Sequence, residues 1–402
     1  MIYKSFNGLR ISMLGMGNMR LPTIGPAGFS APIDHAKAQR IIDRVYAGGV
    51  NYFDTAYMYH GGGSEKFLGD ALKNFPRSSF YLADKMPAFP VAGGRTPESI
   101  FEEQLSRCKT DYFDFYLLHN VTEGIIELFL DERLGIVEYL LKQKKAGRIR
   151  FFGFSNHGRP ETMQRLLDRW DCFDFGQIQI NYLDWTMLDA KRQYEILTER
   201  GLPVIAMEPC RGGRLASLTP KADALLKAAD PDASVASWAF RYLQTLENMQ
   251  VVLSGMTLME QAEDNLATFE RPNPLTPEEL KTLGRAVDLL KEELNVPCTK
   301  CNYCEGCPQG LDIPVLIALY NEHCIDHSFS VTNALGALPE EKLPDRCRAC
   351  GQCMEKCPQG IDIANVMKEF AGAIAGPPRR SPPRVRTIGA GSKANKRQER
   401  LL

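Results

Sequence analysis

The sequence predicts an α/β protein whose larger part is a closed (β/α)8 (TIM) barrel. Eight short apolar runs alternate with amphipathic, helix-like stretches between about residues 10 and 270, close to the size of one such barrel. The runs are nearly continuously apolar, as parallel strands buried on both faces are. They cover residues 10–17, 50–56, 78–85, 112–119, 148–155, 175–182, 202–208 and 249–255. A smaller, cysteine-rich domain follows the barrel.

An open, doubly wound sheet is the alternative to the barrel. Such a sheet usually carries a three-glycine fingerprint after its first strand, whereas the turn here has Gly15 and Gly17 without a third glycine. Helix starts also lie between the runs, for example at 64–65 and 96–98. At 276–279 a capping Thr is followed by Pro and Glu, which predicts a last helix leading out of the barrel. We therefore place the barrel domain at 1–290.

Composition excludes several classes of protein. The chain has 402 residues, 44% of them hydrophobic, with a formal net charge of −1, which excludes a wholly disordered protein. No apolar run approaches the ~18 residues of a membrane helix, and no signal-peptide core is present at the start, so we expect a cytoplasmic protein that does not bind membranes. Residues 379–402 carry eight Lys or Arg and one Glu, so the rest of the chain sums to about −8. Nucleic-acid binding by the body of the protein is therefore not expected.

The cysteines are concentrated in one region. Nine of the 12 fall between residues 298 and 357, where such density favours metal over disulfides in a chain without an export signal. The two groups are Cys298-x2-Cys301-x2-Cys304-x2-Cys307-Pro and Cys347-x2-Cys350-x2-Cys353-x3-Cys357-Pro. Four thiolates satisfy one 4Fe–4S cube, and a C-x2-C-x2-C loop supplies three of them. A pair of zinc sites is the disfavoured alternative, because zinc ribbons usually separate two C-x2-C knuckles by a longer loop.

Residues 297–375 resemble the bacterial-type two-cluster ferredoxins. The long separation of the two groups resembles the mostly helical ferredoxin domains attached to larger oxidoreductases. The resemblance implies two 4Fe–4S clusters, with the last cysteine of each group binding the other cluster. The first cluster would take Cys298, Cys301, Cys304 and Cys357, and the second Cys347, Cys350, Cys353 and Cys307. We expect Cys324 to be a buried thiol, and residues 376–402 to be a disordered basic tail.

Polar residues at the C-terminal ends of the predicted strands identify the chemistry, because active sites of such barrels lie there. Asp54 ends the second strand and is followed by Tyr57 and Tyr59, Lys85 ends the third, and His119 ends the fourth. An ammonium held by a carboxylate favours the phenolate of a neighbouring Tyr, and a neutral His can orient a carbonyl oxygen. Together they form a proton donor for a carbonyl that receives a hydride. The residues alone leave open which Tyr is the acid.

On these residues the barrel resembles the aldo-keto reductases. Residues 51–65, Lys85, 117–119 and 153–156 match motifs of that family in order. The resemblance implies a catalytic tetrad of Asp54, Tyr59, Lys85 and His119, with Tyr59 as the acid. The stretch 15–22 resembles the subgroup whose barrels carry a C-terminal iron–sulfur domain.

The same resemblance implies that the barrel binds NAD(H) or NADP(H). The expected cofactor contacts are Ser155, Asn156, Gln177, Ser254, Gly255 and Asn265. The first three match positions that hold the nicotinamide carboxamide. Met207 stands where most members have a Tyr that stacks on the nicotinamide. Gly255 and Gln261 stand where many have a Lys and an Arg for the 2′-phosphate, so the choice between NADH and NADPH stays open.

We therefore predict an oxidoreductase that reduces a small-molecule carbonyl or oxidises an alcohol. Nicotinamides transfer two electrons as hydride, whereas each cluster transfers one, so coupling them requires a flavin or a similar carrier. Otherwise the clusters serve a redox partner protein or are structural. The alternative is an electron-transfer or redox-sensing protein whose barrel only binds, although a complete tetrad argues against it. A glycosidase-like barrel using Asp54 and Glu208 is disfavoured, because His119 and not an acid ends the fourth strand.

Overall fold

The computed structural model describes residues 1–25, 31–292, 296, 298, 304–325, 329–336, 338–357 and 360–375. The chain divides into two compact units, Met1–Leu290 and Lys291–Leu402. The predicted ligand Cys301 and the predicted disordered tail at 376–402 lie outside the described residues. None of the helices within the described ranges is long and apolar enough to cross a bilayer.

The first unit contains a closed barrel of eight parallel strands, as predicted. An antiparallel hairpin of β1 (Tyr3–Phe6) and β2 (Leu9–Ser12) precedes it. The barrel strands are β3 (Leu14–Gly17), β4 (Tyr52–Asp54), β5 (Tyr81–Pro87), β6 (Phe113–Val121), β7 (Ile149–Asn156), β8 (Phe175–Gln179), β9 (Val204–Met207) and β10 (Met249–Gly255). Each strand pairs with the next in the chain, and β10 pairs with β3 to close the barrel.

The helices of this unit lie between the strands and after the last one. They are α1 (His35–Ala47), α2 (Gly63–Ala71), α3 (Ala88–Ala92), α4 (Pro97–Cys108), α5 (Ile126–Leu130), α6 (Ile136–Lys145), α7 (Pro160–Arg169), α8 (Asp184–Met187), α9 (Ala190–Glu199), α10 (Pro220–Ala229), α11 (Val235–Gln244), α12 (Met259–Thr268) and α13 (Pro277–Glu292). Thr96 caps α4 by accepting a hydrogen bond from the Ser99 backbone N–H. At the start of α13, Thr276 and Glu279 bond to each other's backbone N–H groups as a capping box.

The hairpin corrects one sequence expectation. Residues 10–17 do not form a single strand, because Leu9–Ser12 pairs with Tyr3–Phe6 and the barrel strand begins only at Leu14. Phe6 is buried among the rings of the barrel interior, 5.1 Å from Phe115 and 5.0 Å from Phe151 between ring centroids. Ile11, in the first half of the apolar run, is buried in the same cluster as Phe6, so the hairpin fills the barrel interior with side chains from outside the barrel sheet.

The second unit is mostly helical where the structure describes it. Its helices are α14 (Ile313–Ile325), α15 (Phe329–Gly336), α16 (Gln352–Glu355) and α17 (Ile363–Ala375). Tyr320 on α14 and Phe370 on α17 pack at 5.4 Å in a small apolar core. Cysteines of both groups pack against that core.

Candidate functional site

Closure of the barrel gathers the predicted tetrad at one end. Asp54 ends β4, while Lys85 and His119 lie near the ends of β5 and β6. Tyr59 begins a short 3₁₀ turn at Tyr59–Gly62, just after β4. Because all the strands are parallel, their C-terminal ends form a single rim, which we call the mouth.

A buried ion pair forms the floor of the mouth. The Lys85 ammonium donates to Asp54 Oδ1 at 2.6 Å and to the Thr55 carbonyl at 2.7 Å, and both charged side chains are almost fully buried. Burial alone would lower the pKa of Lys85, but the neighbouring Asp54 carboxylate reverses this and the net shift is upward. Burial raises the pKa of Asp54, and the Lys85 ammonium opposes that rise. The ammonium is therefore charged and fixed in direction.

The backbone of Lys85 is also fixed by a network of polar side chains. Its backbone N–H donates to Asp84 Oδ1 at 2.8 Å, and its carbonyl accepts from Gln104 Nε2 at 3.0 Å. Gln104 Nε2 also donates to Glu65 Oε1 at 3.0 Å, and Arg107 pairs with Glu65 Oε2 at 2.7 Å. Burial and then the charge of Glu65 raise the pKa of Asp84 well above its usual range. Sequence reasoning missed Gln104 and Arg107, because nothing in the sequence marks them apart from any polar helix residue.

Tyr59 and His119 stand above the ion pair and are partly exposed. The Lys85 ammonium lies 5.0 Å from the centre of the Tyr59 ring, and the rings of Tyr59 and His119 meet edge to face at 5.9 Å. Burial raises the pKa of Tyr59, and Lys85 offsets only part of that rise. The sequence argument expected the ammonium to favour the phenolate, but burial outweighs it. Tyr59 therefore keeps its proton at neutral pH and can donate it.

His119 is neutral in this setting. Burial, followed by the positive charge of Lys85, lowers the pKa of His119 well below its ordinary value. His157 directly follows Asn156 and is exposed at the mouth, and sequence reasoning had not singled it out. A neutral imidazole can offer one N–H to a carbonyl oxygen without placing a second positive charge beside Lys85.

The structure distinguishes the two tyrosines after β4. The Tyr57 hydroxyl donates to Glu103 Oε2 at 3.0 Å and accepts from Arg95 at 2.5 Å. The Arg107 guanidinium covers its ring at 4.5 Å. The hydroxyl and ring of Tyr57 are thus occupied by contacts with α4 and with the segment just before it, whereas Tyr59 faces Lys85 and His119.

Comparison with models of protein families matches residues 13–288 to the aldo/keto reductase family. The chain belongs to the aldo/keto reductase family. A second match covers residues 297–361 and is to a 4Fe-4S dicluster domain. The protein is therefore an oxidoreductase of the aldo/keto reductase family that carries an iron–sulfur domain at its C-terminal side.

Characterised relatives and solved structures cover the barrel. L-galactose dehydrogenase of Arabidopsis thaliana is 27% identical over 311 residues, which span 71% of this chain and 90% of the relative. The holo form of aldo-keto reductase AKR11C1 from Bacillus halodurans has a TM-score of 0.57 and 27% identity, covering 71% of this chain and 96% of that one. An aldo-keto reductase of Klebsiella pneumoniae solved in complex with NADPH shares the fold, with a TM-score of 0.55, 23% identity and coverage of 71% and 95%.

The predicted carboxamide contacts of this aldo/keto reductase lie together on β7 and β8. Ser155 pairs with Gln177 in the strand register, and both side chains donate to the Met207 sulfur at 3.7 Å. A thioether is a weak acceptor. The buried atoms Asn156 Oδ1 and Gln177 Oε1 have no hydrogen-bond partner within the described structure. Unsatisfied acceptors of this kind suit the –NH2 group of a carboxamide.

The remaining predicted contacts lie on the β10 side of the mouth. Asn265 on α12 donates to Ser254 Oγ at 2.9 Å, and both are buried, while Gly255 is exposed. Gln261 accepts from the backbone N–H groups of Thr257 and Leu258, at 2.8 and 3.0 Å. Gln261 therefore serves as a cap of α12.

In the dicluster domain, Cys307, the last cysteine of the first group, lies near cysteines of the second group. Burial raises the pKa of Cys353 to about 11, and the neighbouring thiols of Cys347, Cys307 and Cys350 add to the shift. Those three thiols therefore lie near enough to Cys353 to influence its pKa. Cys350 is exposed, whereas the others are partly buried. Among the described residues, no three Cys, His or carboxylate side chains meet closely enough to hold a single metal ion.

Proposed function

We propose that this aldo/keto reductase reduces a small carbonyl compound, or oxidises the corresponding alcohol, with Tyr59 as the proton donor. The observation that carries the proposal is the arrangement of Tyr59 between the Lys85–Asp54 ion pair and the neutral His119. Tyr59 holds a proton that it can give to a carbonyl oxygen, and the fixed ammonium stabilises the phenolate that remains. His119 orients the carbonyl oxygen toward that proton.

The residues of the mouth fit a nicotinamide cofactor, which supplies the hydride when bound. Asn156 and Gln177 would hold the carboxamide through their unsatisfied oxygens, with Ser155 beside them. Ser254 and Asn265 would contact the cofactor farther along, next to β10. The NADPH present in the Klebsiella structure supports the same use of the fold.

We further propose that the cysteines hold two 4Fe–4S clusters in the crossed arrangement. Cys347, Cys350, Cys353 and Cys307 would bind one cluster, and Cys298, Cys301, Cys304 and Cys357 the other. The proximity of Cys307 to Cys353 supports the first set. Clusters accept single electrons, so a flavin-class carrier or a redox partner protein would link them to hydride chemistry.

The decisive experiment uses the full chain purified without oxygen. NADH or NADPH is added separately, with and without a panel of activated aldehydes and α-dicarbonyls, while nicotinamide and cluster absorbance are followed. We expect carbonyl-dependent oxidation of the nicotinamide in the wild type and its loss in Tyr59→Phe, with cluster absorbance intact in both. Equal turnover by the two proteins, or a wild type that binds neither nicotinamide, would overturn the proposal. Bleaching of the clusters by NADH alone would show that the two redox systems are connected.

A further inference from the structure

Strand β6 contains one residue more than its neighbour β7 where the two strands reach the mouth. Leu118 pairs with Phe154, but the next pair is Val121 with Asn156, so three steps along β6 match only two along β7. This irregularity is a β-bulge. Within it, the backbone of Asn120 lies in the left-handed region, with φ of 62°. Such a conformation is rare for a residue other than Gly, and in a strand it marks a point where the chain is redirected.

The bulge reverses the alternation of side chains along β6. Before it, Phe115 and Leu117 are buried in the barrel interior, whereas Leu118 is buried in the core between the strands and the helices. Since side chains alternate along a strand, a regular β6 would direct Val121 into the barrel. Val121 is instead buried in the same outer core as Leu118. The extra residue therefore keeps an apolar side chain out of the mouth, next to the tetrad.

The residue just before Asn120 belongs to the tetrad. His119 is still in regular register with Pro87 of β5, two residues after Lys85. Its ring meets that of Tyr59 edge to face at 5.9 Å. This side of the bulge is therefore fixed relative to the proton donor.

The residue just after Asn120 is fastened to the end of β7. The carbonyl of Val121 accepts hydrogen bonds from the backbone N–H groups of His157 and Gly158, at 2.9 and 3.0 Å. The carbonyl of Gly158 in turn accepts from Asn156 Nδ2 at 2.9 Å, which fixes the direction of the unsatisfied Asn156 Oδ1. The turn that holds this side of the bulge therefore also orients the amide that would bind the nicotinamide.

We propose that Asn120 is a positioning residue whose left-handed backbone sets the imidazole of His119 relative to the Asn156 amide. Asn adopts this conformation more readily than most residues that have a side chain, whereas a β-branched residue strongly resists it. A residue that resists it would shift the two sides of the bulge relative to each other. The inference rests on the proposed function, because that function assigns His119 to the carbonyl oxygen and Asn156 to the nicotinamide.

The test compares Asn120→Val and Asn120→Gly with the wild type in the full-length protein. Asn120→Val should lower kcat for carbonyl reduction by about 10²-fold, the usual effect of displacing a reacting group by about 1 Å. KM for the carbonyl and for the nicotinamide should stay within about threefold, because each side of the bulge keeps its own contacts. Asn120→Gly should keep kcat within about threefold of the wild type, since Gly adopts the left-handed conformation freely. The imidazole NMR signals of His119 should shift in Asn120→Val and not in Asn120→Gly, and this readout does not depend on turnover.

Asn7 provides the matched control. It is also an Asn in the left-handed region, with φ of 44°, and lies exposed in the turn between β1 and β2. That hairpin lies at the N-terminal ends of the barrel strands, since Asn51, just before β4, donates to the Arg10 carbonyl at 2.9 Å. Asn7→Val should therefore lose stability much as Asn120→Val does, while its kcat and its His119 signals stay those of the wild type.

Four outcomes would count against the assignment or the function on which it rests. A folded Asn120→Val with unchanged kcat and His119 signals would overturn the assignment, and so would an Asn120→Gly that loses as much kcat as Asn120→Val. An equal loss of kcat in Asn7→Val would attribute the effect to general strain and would also overturn it. If Asn120→Val does not fold, Asn120→Ala takes its place, and a kcat equal to that of Asn120→Gly would reject the role of the backbone. A wild type that turns over no carbonyl would overturn the proposed function, and the His119 signals would then decide the role of Asn120 by themselves.

Discussion

Replacing Asp54 by Asn tests the buried ion pair most directly. The substitution keeps the shape of the side chain and removes only its charge, leaving the Lys85 ammonium buried beside a neutral amide. Unit charges 2.6 Å apart attract by about 6 kcal/mol at an effective dielectric constant of about 20. Asn and the Thr55 carbonyl retain part of this attraction, and breaking a buried pair typically costs about 3–5 kcal/mol.

In Asp54→Asn, the free-energy penalty for keeping a buried, charged Lys85 has an upper limit that depends on pH. Without Asp54, burial is the largest remaining influence on Lys85, so we expect the pKa of Lys85 in the variant to fall below the ordinary value of about 10.4. The folded variant can then release the proton, so the penalty for keeping the buried ammonium charged cannot exceed about 4.6 kcal/mol at pH 7 or about 1.9 kcal/mol at pH 9. The folded variant binds fewer protons than its unfolded chain, and its stability deficit must therefore shrink as pH rises. In the wild type the raised pKa of Lys85 keeps that contribution constant below about pH 10.

The assay is guanidinium unfolding at pH 7 and pH 9, followed by tryptophan fluorescence. Trp170, Trp185 and Trp238 all lie in the first unit, so the signal reports on the barrel alone. Asp223→Asn is the matched control, because Asp223 pairs with Lys227 at 2.8 Å on the surface of α10 and should lose only about 0.3–0.5 kcal/mol at either pH. A deficit below about 1 kcal/mol for Asp54→Asn at pH 7, or an equal deficit at both pH values, would refute the reasoning.

Three further predictions follow from the site. Tyr59→Phe should lower kcat for carbonyl reduction by about 10²- to 10⁴-fold, whereas Tyr57→Phe should leave it within about tenfold; equal losses would contradict the assignment of the acid. Since burial lowers the pKa of His119 well below its ordinary value, its imidazole NMR signals should not titrate between pH 6 and 8, and a midpoint near 6.5 would show that it is charged in part of that range. Cys350→Ser should remove about four irons per chain by colorimetric assay, with Cys324→Ser as the control; unchanged iron in the first variant would reject Cys350 as a ligand.

Much of the architecture could be predicted from local patterns. Buried parallel strands need continuous apolar sequence, and each of the eight apolar runs contributes one strand to the barrel. The carboxyl ends of parallel strands meet at one rim, so the positions of Asp54, Lys85 and His119 in their runs already implied a common site. The spacing of the cysteines indicated the dicluster domain that the family comparison shows.

Other features depend on which segments pack together, and local sequence does not contain that information. The apolar run at 10–17 was divided by a hairpin because Phe6 finds its aromatic partners inside the barrel. Tyr57 and Tyr59 are alike in sequence, and only the approach of α4 engages the first and leaves the second facing Lys85. The net direction of the Tyr59 pKa likewise follows from burial, which a motif does not measure.

The ion pair of Arg20 and Glu208 is the clearest example of a feature that only the tertiary structure decides. The Arg20 guanidinium and Glu208 Oε1 lie 3.9 Å apart, although the two residues are far apart in the chain and no spacing in the sequence relates them. Their meeting depends on barrel closure, in which β10 pairs with β3 and brings the loop after the first barrel strand against the loops after β9 and β10. Residue chemistry and periodicity determined the strands and the reactive groups of this protein, whereas long-range closure decided which charges share the mouth.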